Sequence, residues 1–171
     1  MPMKPSTWLR RLAVVAVVGF LAACTGIPQN VEMGTPRAVI EKRLGRPTSV
    51  HTLADGTTRL QYSYQPAGQQ VYNLDLDAAG RLRRTEQMMD ADLLLQRIQV
   101  DRWTRDDVRV SLGRPALVER VMSFDGEIWT YRLLEATRPR QVHVHIDPAG
   151  VVRRVMLTDE PMPADDSDGK P

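Results

Sequence analysis

Leu44-Gly45-Arg46-Pro47 recurs 68 residues further along the chain as Leu112-Gly113-Arg114-Pro115. Three more landmarks recur in the same order at an offset of 70: Asp55-Gly56 with Asp125-Gly126, Asp77 and Gly80 with Asp147 and Gly150, and Arg83-Arg84 with Arg153-Arg154. Self-similarity at a nearly constant distance is typical of repeated structural units. The sequence therefore predicts two copies of one unit, each about 70 residues long.

Each copy begins with signals for a short helix. Thr35-Pro36 and Thr104 predict helix starts, because a hydroxyl side chain caps the first turn and proline is tolerated at the first helical position. Gly45 and Gly113 predict the helix ends, because glycine readily adopts the left-handed conformation that terminates a helix. Asp90 predicts a cap for one additional helix in the second copy.

Alternating apolar residues predict strands with one buried and one solvated face. In chain order these sets are Leu60, Tyr62 and Tyr64; Tyr72, Leu74 and Leu76; Trp129, Tyr131 and Leu133; and Val142, Val144 and Ile146. The Asp-Gly pairs predict tight turns between strands. Because an apolar sheet face has to be covered, the predicted fold class is α+β: a tandem repeat in which one or two helices cover an antiparallel sheet.

These patterns divide the chain into five segments: a signal peptide at 1–23, a lipidated tether at 24–33, a first repeat at 34–89, a second repeat at 90–158 and a tail at 159–171. The tail holds three prolines and five acidic residues, and we expect it to be disordered. The stretch from Thr25 to Met33 is expected to be a flexible tether of at most about 30 Å.

The first segment has the layout of an export signal. A basic region carries Lys4, Arg10 and Arg11, and a 12-residue apolar run extends from Leu12 to Ala23. This run is too short to cross a bilayer, which takes about 20 residues. The segment is therefore interpreted as a cleaved leader.

Cys24 is the single cysteine of the sequence, so the chain has no intramolecular disulfide. The stretch Leu21-Ala22-Ala23-Cys24 resembles the lipobox of bacterial lipoproteins, which implies that Cys24 is acylated and anchors the protein in a membrane. Thr25 stands where lipoproteins retained in the inner membrane usually carry aspartate. The expected location is therefore the outer membrane, with the chain facing the periplasm.

Charge does not indicate a nucleic-acid partner. The net charge of +2 includes three basic residues of the leader, and without them 20 basic residues face 21 acidic ones. No basic stripe with interleaved aromatic residues occurs. We expect membrane and envelope proteins as partners, and no nucleic acid.

The sequence carries no motif of a familiar catalytic or cofactor site, so neither an enzyme nor a cofactor is expected. His143 and His145 lie two residues apart and share one face of a strand. A metal site needs three or four ligands, and no further histidine or cysteine lies nearby. A solvated or partner-facing pair is the favoured interpretation, and a metal-binding pair is the weaker alternative.

Polar positions alternate with the predicted core. If the two sheets join side by side, these positions form one continuous solvated face, which we interpret as the candidate partner-binding face. Its residues are Gln61, Ser63, Asn73 and Asp75 in the first repeat, and Thr130, Arg132, His143 and His145 in the second.

The order of a capped helix, Leu-Gly-x-Pro, Asp-Gly, an aromatic strand and Asp-x-x-Gly resembles the BamE (SmpA/OmlA) family of outer-membrane lipoproteins. The matching residues are Trp103 to Val108, Leu112 to Pro115 and Trp129-Thr130-Tyr131 in the second repeat, and Gly34, Ile40, Leu44 to Pro47 and Tyr62 in the first. The resemblance covers roughly residues 33–157, although the chain has two units where the family's founding member has one. The tandem also resembles the architecture of β-lactamase inhibitory protein, a likeness of fold alone.

The resemblance implies a non-catalytic accessory role in outer-membrane protein assembly or envelope integrity, with the barrel-assembly machinery as a candidate partner. The alternative is a periplasmic binding module that inhibits or regulates an enzyme through its polar sheet face. A protein that binds a metal or another ligand through His143 and His145 is the third hypothesis.

Overall fold

The computed structural model describes residues 26–161. Its elements in this range, in chain order, are a 3-10 helix Pro28–Asn30, α1 Arg37–Leu44, β1 Ser49–Thr52, β2 Thr58–Ser63, β3 Val71–Leu76, β4 Leu82–Gln87, α2 Ala91–Arg97, α3 Arg105–Leu112, β5 Leu117–Val121, β6 Phe124–Glu135, β7 Arg138–Ile146 and β8 Val152–Asp159. The predicted α+β class is confirmed. No helix of the described range is long and apolar enough to cross a membrane. The predicted signal peptide and Cys24 lie outside the described residues.

The strands form two separate four-stranded antiparallel sheets, ordered β1-β2-β3-β4 and β5-β6-β7-β8. Their registers are equivalent, because Leu60 pairs with Leu74 in the first sheet and Trp129 pairs with Val144 in the second. The tandem arrangement of sheet units is therefore confirmed. The single continuous face that we expected from joined sheets does not form, because no strand of one sheet pairs with a strand of the other.

The two units also repeat the contacts that hold helix and sheet together. The hydroxyl of Tyr62 donates to the carbonyl of Gly45 at 3.1 Å, and that of Tyr131 donates to Gly113 at 2.9 Å. Each acceptor is the glycine that ends its helix, with φ near +80° in both. Burial raises the pKa of Tyr62 to about 12, so this phenol remains a hydrogen-bond donor.

The helix starts are only partly as predicted. Thr104 caps α3 in a reciprocal pair with Asp107, and the carboxylate of Asp90 accepts from the amide of Leu93 at the start of α2. Thr35 does not cap α1: its hydroxyl donates to the carbonyl of Glu32 at 2.7 Å. Its own carbonyl accepts from the β4 backbone, so Thr35 lies in an extended stretch before the helix.

One predicted turn is displaced in the second unit. Asp55-Gly56 turns the chain between β1 and β2 as expected, but Asp125-Gly126 lies inside β6 and the turn falls at Met122-Ser123. Gly126 has φ +147°, and a Cβ there would lie 2.2 Å from the carbonyl oxygen of Ile146. Glycine is therefore needed here for the close approach of β7, not for a turn.

Each sheet buries one face under its own helices. The first core holds Val31, Ile40, Leu60, Tyr62, Tyr72, Leu74, Leu76 and Leu82. The second core contains Leu94 and Ile98 of the α2 segment, Val108 and Leu112 of α3, and the inward residues of β6 and β7. Val71 of β3 belongs to the second core, so the two units are packed together. Tyr64 is the exception among the predicted core residues, since it is exposed beyond the end of β2.

Ordered structure extends into both segments that were predicted to be flexible. The 3-10 helix Pro28–Asn30 lies within the predicted tether, and Val31 is 4% exposed in the first core. At the other end, Asp159 still belongs to β8, and Glu160 forms an ion pair with Arg132. The folded body therefore begins at Pro28, because Val31 supplies apolar surface that the first sheet buries.

Candidate functional site

Three of the four residues that the first unit contributes to the predicted binding face are buried. Gln61, Asn73 and Asp75 are 0%, 1% and 8% exposed. They do lie on the sheet face opposite the core, as their alternation with Leu60 and Leu74 indicates. The expectation that this face is solvated was wrong, because the end of α3 from the second unit covers it.

The contact is made by the last turn of α3. Gln61 Nε2 donates to the carbonyl of Val110 at 3.2 Å, and Asn73 Nδ2 donates to the carbonyl of Ser111 at 2.8 Å. The last four carbonyls of a helix have no partner within the helix, and they carry its negative end. The polar row of the first sheet therefore caps a helix of the second unit.

Arg59 adds positive charge to the same contact, although it was not among the predicted residues. Its guanidinium forms two bonds with Asp75, at 2.7 and 2.9 Å, and a third, long one of 3.4 Å to the carbonyl of Val110. Both side chains of the pair are 11% exposed. Arg59 is two residues from Gln61 on the same strand and therefore lies on the same face of the sheet. The alternation that identified Gln61 thus also identifies Arg59.

Arg132 also joins the two units, and its side chain is 30% exposed. The carbonyl of Arg132 accepts from Gln65 Nε2 at 2.6 Å, and its amide donates back to Gln65 Oε1 at 3.2 Å. Its guanidinium donates to the carbonyls of Pro66 and Ala67, at 2.8 and 3.1 Å. Ser63, half-buried at the end of β2, accepts from the amide of Gln65 and so helps position this loop.

The remaining three predicted residues lie on the outer face of the second sheet. A chain of hydrogen bonds crosses three strands there: Thr130 Oγ1 to His143 Nδ1 at 2.9 Å, and His143 Nε2 to Thr158 Oγ1 at 2.8 Å. Thr130 is 2% exposed and His143 is half-buried. Both ring nitrogens of His143 are occupied by hydroxyl groups, so neither is open to a metal ion.

His145 is 7% exposed, although a solvated position was expected. The ring of Phe124 packs edge-on against it with 5.0 Å between centroids. Burial lowers the pKa of His143 and also that of His145, and the charge of Arg154 lowers the latter further. Both imidazoles are therefore neutral at pH 7. Within residues 26–161, no group of three or more His, Cys, Asp or Glu side chains could hold a metal ion.

Two exposed apolar side chains flank this polar row. Leu117 pairs with Thr130, and Met156 pairs with His143, so the four side chains form one line across the sheet. Leu117 is 49% exposed and Met156 is 42% exposed. We call the surface formed by Leu117, Ile128, Thr130, His143, His145 and Met156 the outer face of the second sheet. Of the predicted residues on this surface, Thr130 and His145 are buried and His143 is half-buried; its exposed part is formed by Leu117 and Met156, which were not among the predicted residues.

An open cleft of about 720 Å³ lies beside the β5–β6 turn and contains charged groups. Glu127 there pairs with Arg120 at 3.1 Å and with Arg105 at 3.3 Å. The hydrogen bond from Arg120, followed by that from Trp129, lowers the pKa of Glu127. This carboxylate is therefore ionised and paired at neutral pH, which is unsuited to a general acid.

Neither a family model nor a curated protein matches this chain. Among solved structures, the chain is similar to a DUF4309 family protein (YjgB) from Bacillus subtilis, with 16% sequence identity over 81% of this chain and 84% of that chain. The TM-score of this pair is 0.31, which is too low to establish a common fold.

Proposed function

We propose that this chain is a non-catalytic lipoprotein of the outer membrane, anchored through Cys24, that binds another envelope protein through the outer face of the second sheet. The observation that carries the proposal is the difference between the two equivalent faces. The end of α3 covers the outer face of the first sheet. On the second sheet, the flanking side chains of Leu117 and Met156 are 49% and 42% exposed. Exposed apolar side chains around a polar centre are typical of surfaces that bind proteins.

We further propose a BamE-like role in outer-membrane protein assembly or envelope integrity. The support comes from the Leu-Gly-Arg-Pro segments, which end a short helix before a four-stranded antiparallel sheet in each unit. The alternative, inhibition or regulation of a periplasmic enzyme, was based on a continuous face of two sheets. Most of the polar residues of that face are buried and the exposed flanks of the second sheet are apolar, so the accessory role is favoured.

The anchor is tested with Cys24→Ala in the full precursor. We expect the wild-type protein to sediment with outer membranes and its mature N-terminal peptide to carry acyl mass. The Cys24→Ala variant is expected to keep its fold but to lose both membrane sedimentation and function. Wild-type protein in the soluble periplasmic fraction, or an unmodified cysteine, would refute the anchor.

The binding face is tested with Met156→Glu, which places a charge on the accessible flank. Leu95→Glu is the matched control, since Leu95 is 51% exposed on α2, away from this face. We expect Met156→Glu, but not the control, to lower the levels of outer-membrane barrel proteins and the co-purification of assembly subunits. Normal levels of both with a folded Met156→Glu variant would contradict the accessory role. Recovery of a single soluble hydrolase would favour the regulatory alternative.

A further inference from the structure

In the first unit, the sheet face opposite the core is already in contact with a helix. Its outer face, opposite the core, receives the C-terminal end of α3, with Gln61 and Asn73 donating to the helix carbonyls. Gly113, which ends that helix, approaches so closely that a Cβ there would lie 2.8 Å from Gln61 Oε1. A helix thus lies in direct contact with the first sheet.

The second sheet presents the equivalent positions. In the first sheet, Gln61 pairs with Asn73; the corresponding pair in the second sheet is Thr130 with His143. The row beside it, Arg59 with Asp75, corresponds to Ile128 with His145. Within the described residues no helix follows β8, so the second face has no counterpart of α3.

The two faces differ in chemistry. The first offers charged and amide donors, which suit the carbonyls at a helix end. In the second, Ile128 replaces Arg59, and Thr130 and His143 are engaged with each other. Leu117 and Met156 occupy the flanks, where the first sheet has Ser49 and Glu86. The second face is therefore suited to the apolar side of a helix and not to its polar end.

The spacing of the flanks also fits a helix. Adjacent strands lie about 4.8 Å apart, so three spacings separate β5 from β8 by roughly 14 Å. An α-helix with its side chains is about 10–12 Å wide. Leu117 and Met156 therefore stand on either side of a strip about one helix wide.

We propose that the outer face of the second sheet binds an amphipathic helix of a partner envelope protein, whose apolar ridge lies over Ile128 and His143 between Leu117 and Met156. This inference rests on the proposed protein-binding function and specifies the partner segment. The helix occupies the position that α3 occupies on the first sheet. Its contact is apolar, with ridge residues spaced three and four apart.

The test uses the full lipidated chain in its native membrane, with the photo-crosslinker p-benzoylphenylalanine placed at Leu117 or Met156. Leu95 is the control position, exposed to the same degree on α2. Cross-linked partner residues are identified by mass spectrometry. We expect cross-links at 117 and 156 at least tenfold above those at 95, to partner residues spaced three, four or seven apart.

Three results would overturn the inference. Cross-links to partner residues spaced two apart would show an extended strand and would leave the proposed function intact. Cross-links to another copy of this chain would show self-association. Signals at 117 and 156 no stronger than at 95 would refute both the helix and the proposed function.

A second variant guards against a folding artefact. Met156→Glu is expected to reduce the cross-link formed at position 117 at least tenfold, whereas Met156→Leu keeps it, because the apolar contact and not the sulfur is needed. An unchanged cross-link at 117 in a folded Met156→Glu chain would show that the partner does not lie across the strip.

Discussion

Asn73→Ala tests whether the cap on α3 holds the two units together. Asn73 is 1% exposed, donates to the carbonyl of Ser111 at 2.8 Å and accepts from Gln61 at 3.0 Å. Losing two such hydrogen bonds removes about 2 kcal/mol, and leaving the Ser111 carbonyl without a partner costs roughly 1–3 kcal/mol more. Part of that second cost is relieved if the site relaxes. We expect the free energy of unfolding to fall by about 2–4 kcal/mol.

The assay is urea denaturation of the chain from Thr25 onward, followed by tryptophan fluorescence and far-ultraviolet circular dichroism. Trp103 and Trp129 are the tryptophans of this segment, so fluorescence reports the second unit although the substitution lies in the first. We expect both signals to shift together, because α3 and the first sheet unfold as one cooperative system.

The control is Asn30→Ala, at an exposed asparagine, which is expected to change stability by less than about 0.5 kcal/mol. If Asn73→Ala also stays within that limit, the helix-end contact does not stabilise the protein. If circular dichroism shifts while tryptophan fluorescence does not, the units unfold independently and the coupling argued from Asn73 is wrong.

Tyr131→Phe removes a buried hydrogen-bond donor to Gly113 and is expected to lower the free energy of unfolding by about 1–2 kcal/mol. The loss should be larger than for Tyr62→Phe, because Tyr62 is the less buried of the two equivalent tyrosines. Equal urea midpoints for the two variants would contradict this. Gly126→Ala should lower stability by at least about 2 kcal/mol, because its Cβ would collide with the β7 backbone; a melting temperature within 2–3 °C of wild type would refute the close approach. Because burial lowers the folded-state pKa values of His143 and His145 below 6.5, the unfolded chain takes up protons first. The stability that these two neutral histidines contribute is therefore fully present above about pH 6.5, and it is lost as the pH falls toward their folded-state pKa values. For the wild-type protein, the urea midpoint is expected to be lower at pH 5.5 than at pH 7.5, and this difference should be smaller in a His143→Gln/His145→Gln variant. A difference as large as in the wild type would show that other groups cause the pH dependence.

Local signals in the sequence predicted most of the fold. Gly45 and Gly113 end their helices with positive φ, as the Leu-Gly-x-Pro pattern indicates. Asp90 and Thr104 cap α2 and α3 through contacts within three residues. These features depend on neighbours along the chain, so a single sequence contains the information needed to place them.

The errors arose where distant parts of the chain meet. Alternation placed Gln61 and Asn73 on the correct sheet face, but it could not show that α3, 38 residues beyond Asn73, covers that face. In the same way, alternation could not show that Arg132 contacts Gln65, Pro66 and Ala67, which lie 65 to 67 residues away in the chain. The displaced turn near Asp125 reflects a similar limit, since Gly126 is required by the approach of β7.

The early start of the folded body sets how far the protein can reach. Only four residue steps separate Cys24 from Pro28, a span of at most about 14 Å. With the proposed lipid on Cys24, the folded part of the protein diffuses in the plane of the membrane, held by a tether about half as long as the sequence predicted. Its encounters are then restricted to proteins that expose a binding segment within a few nanometres of the bilayer, and a soluble protein deeper in the periplasm would have to come to the membrane to meet it.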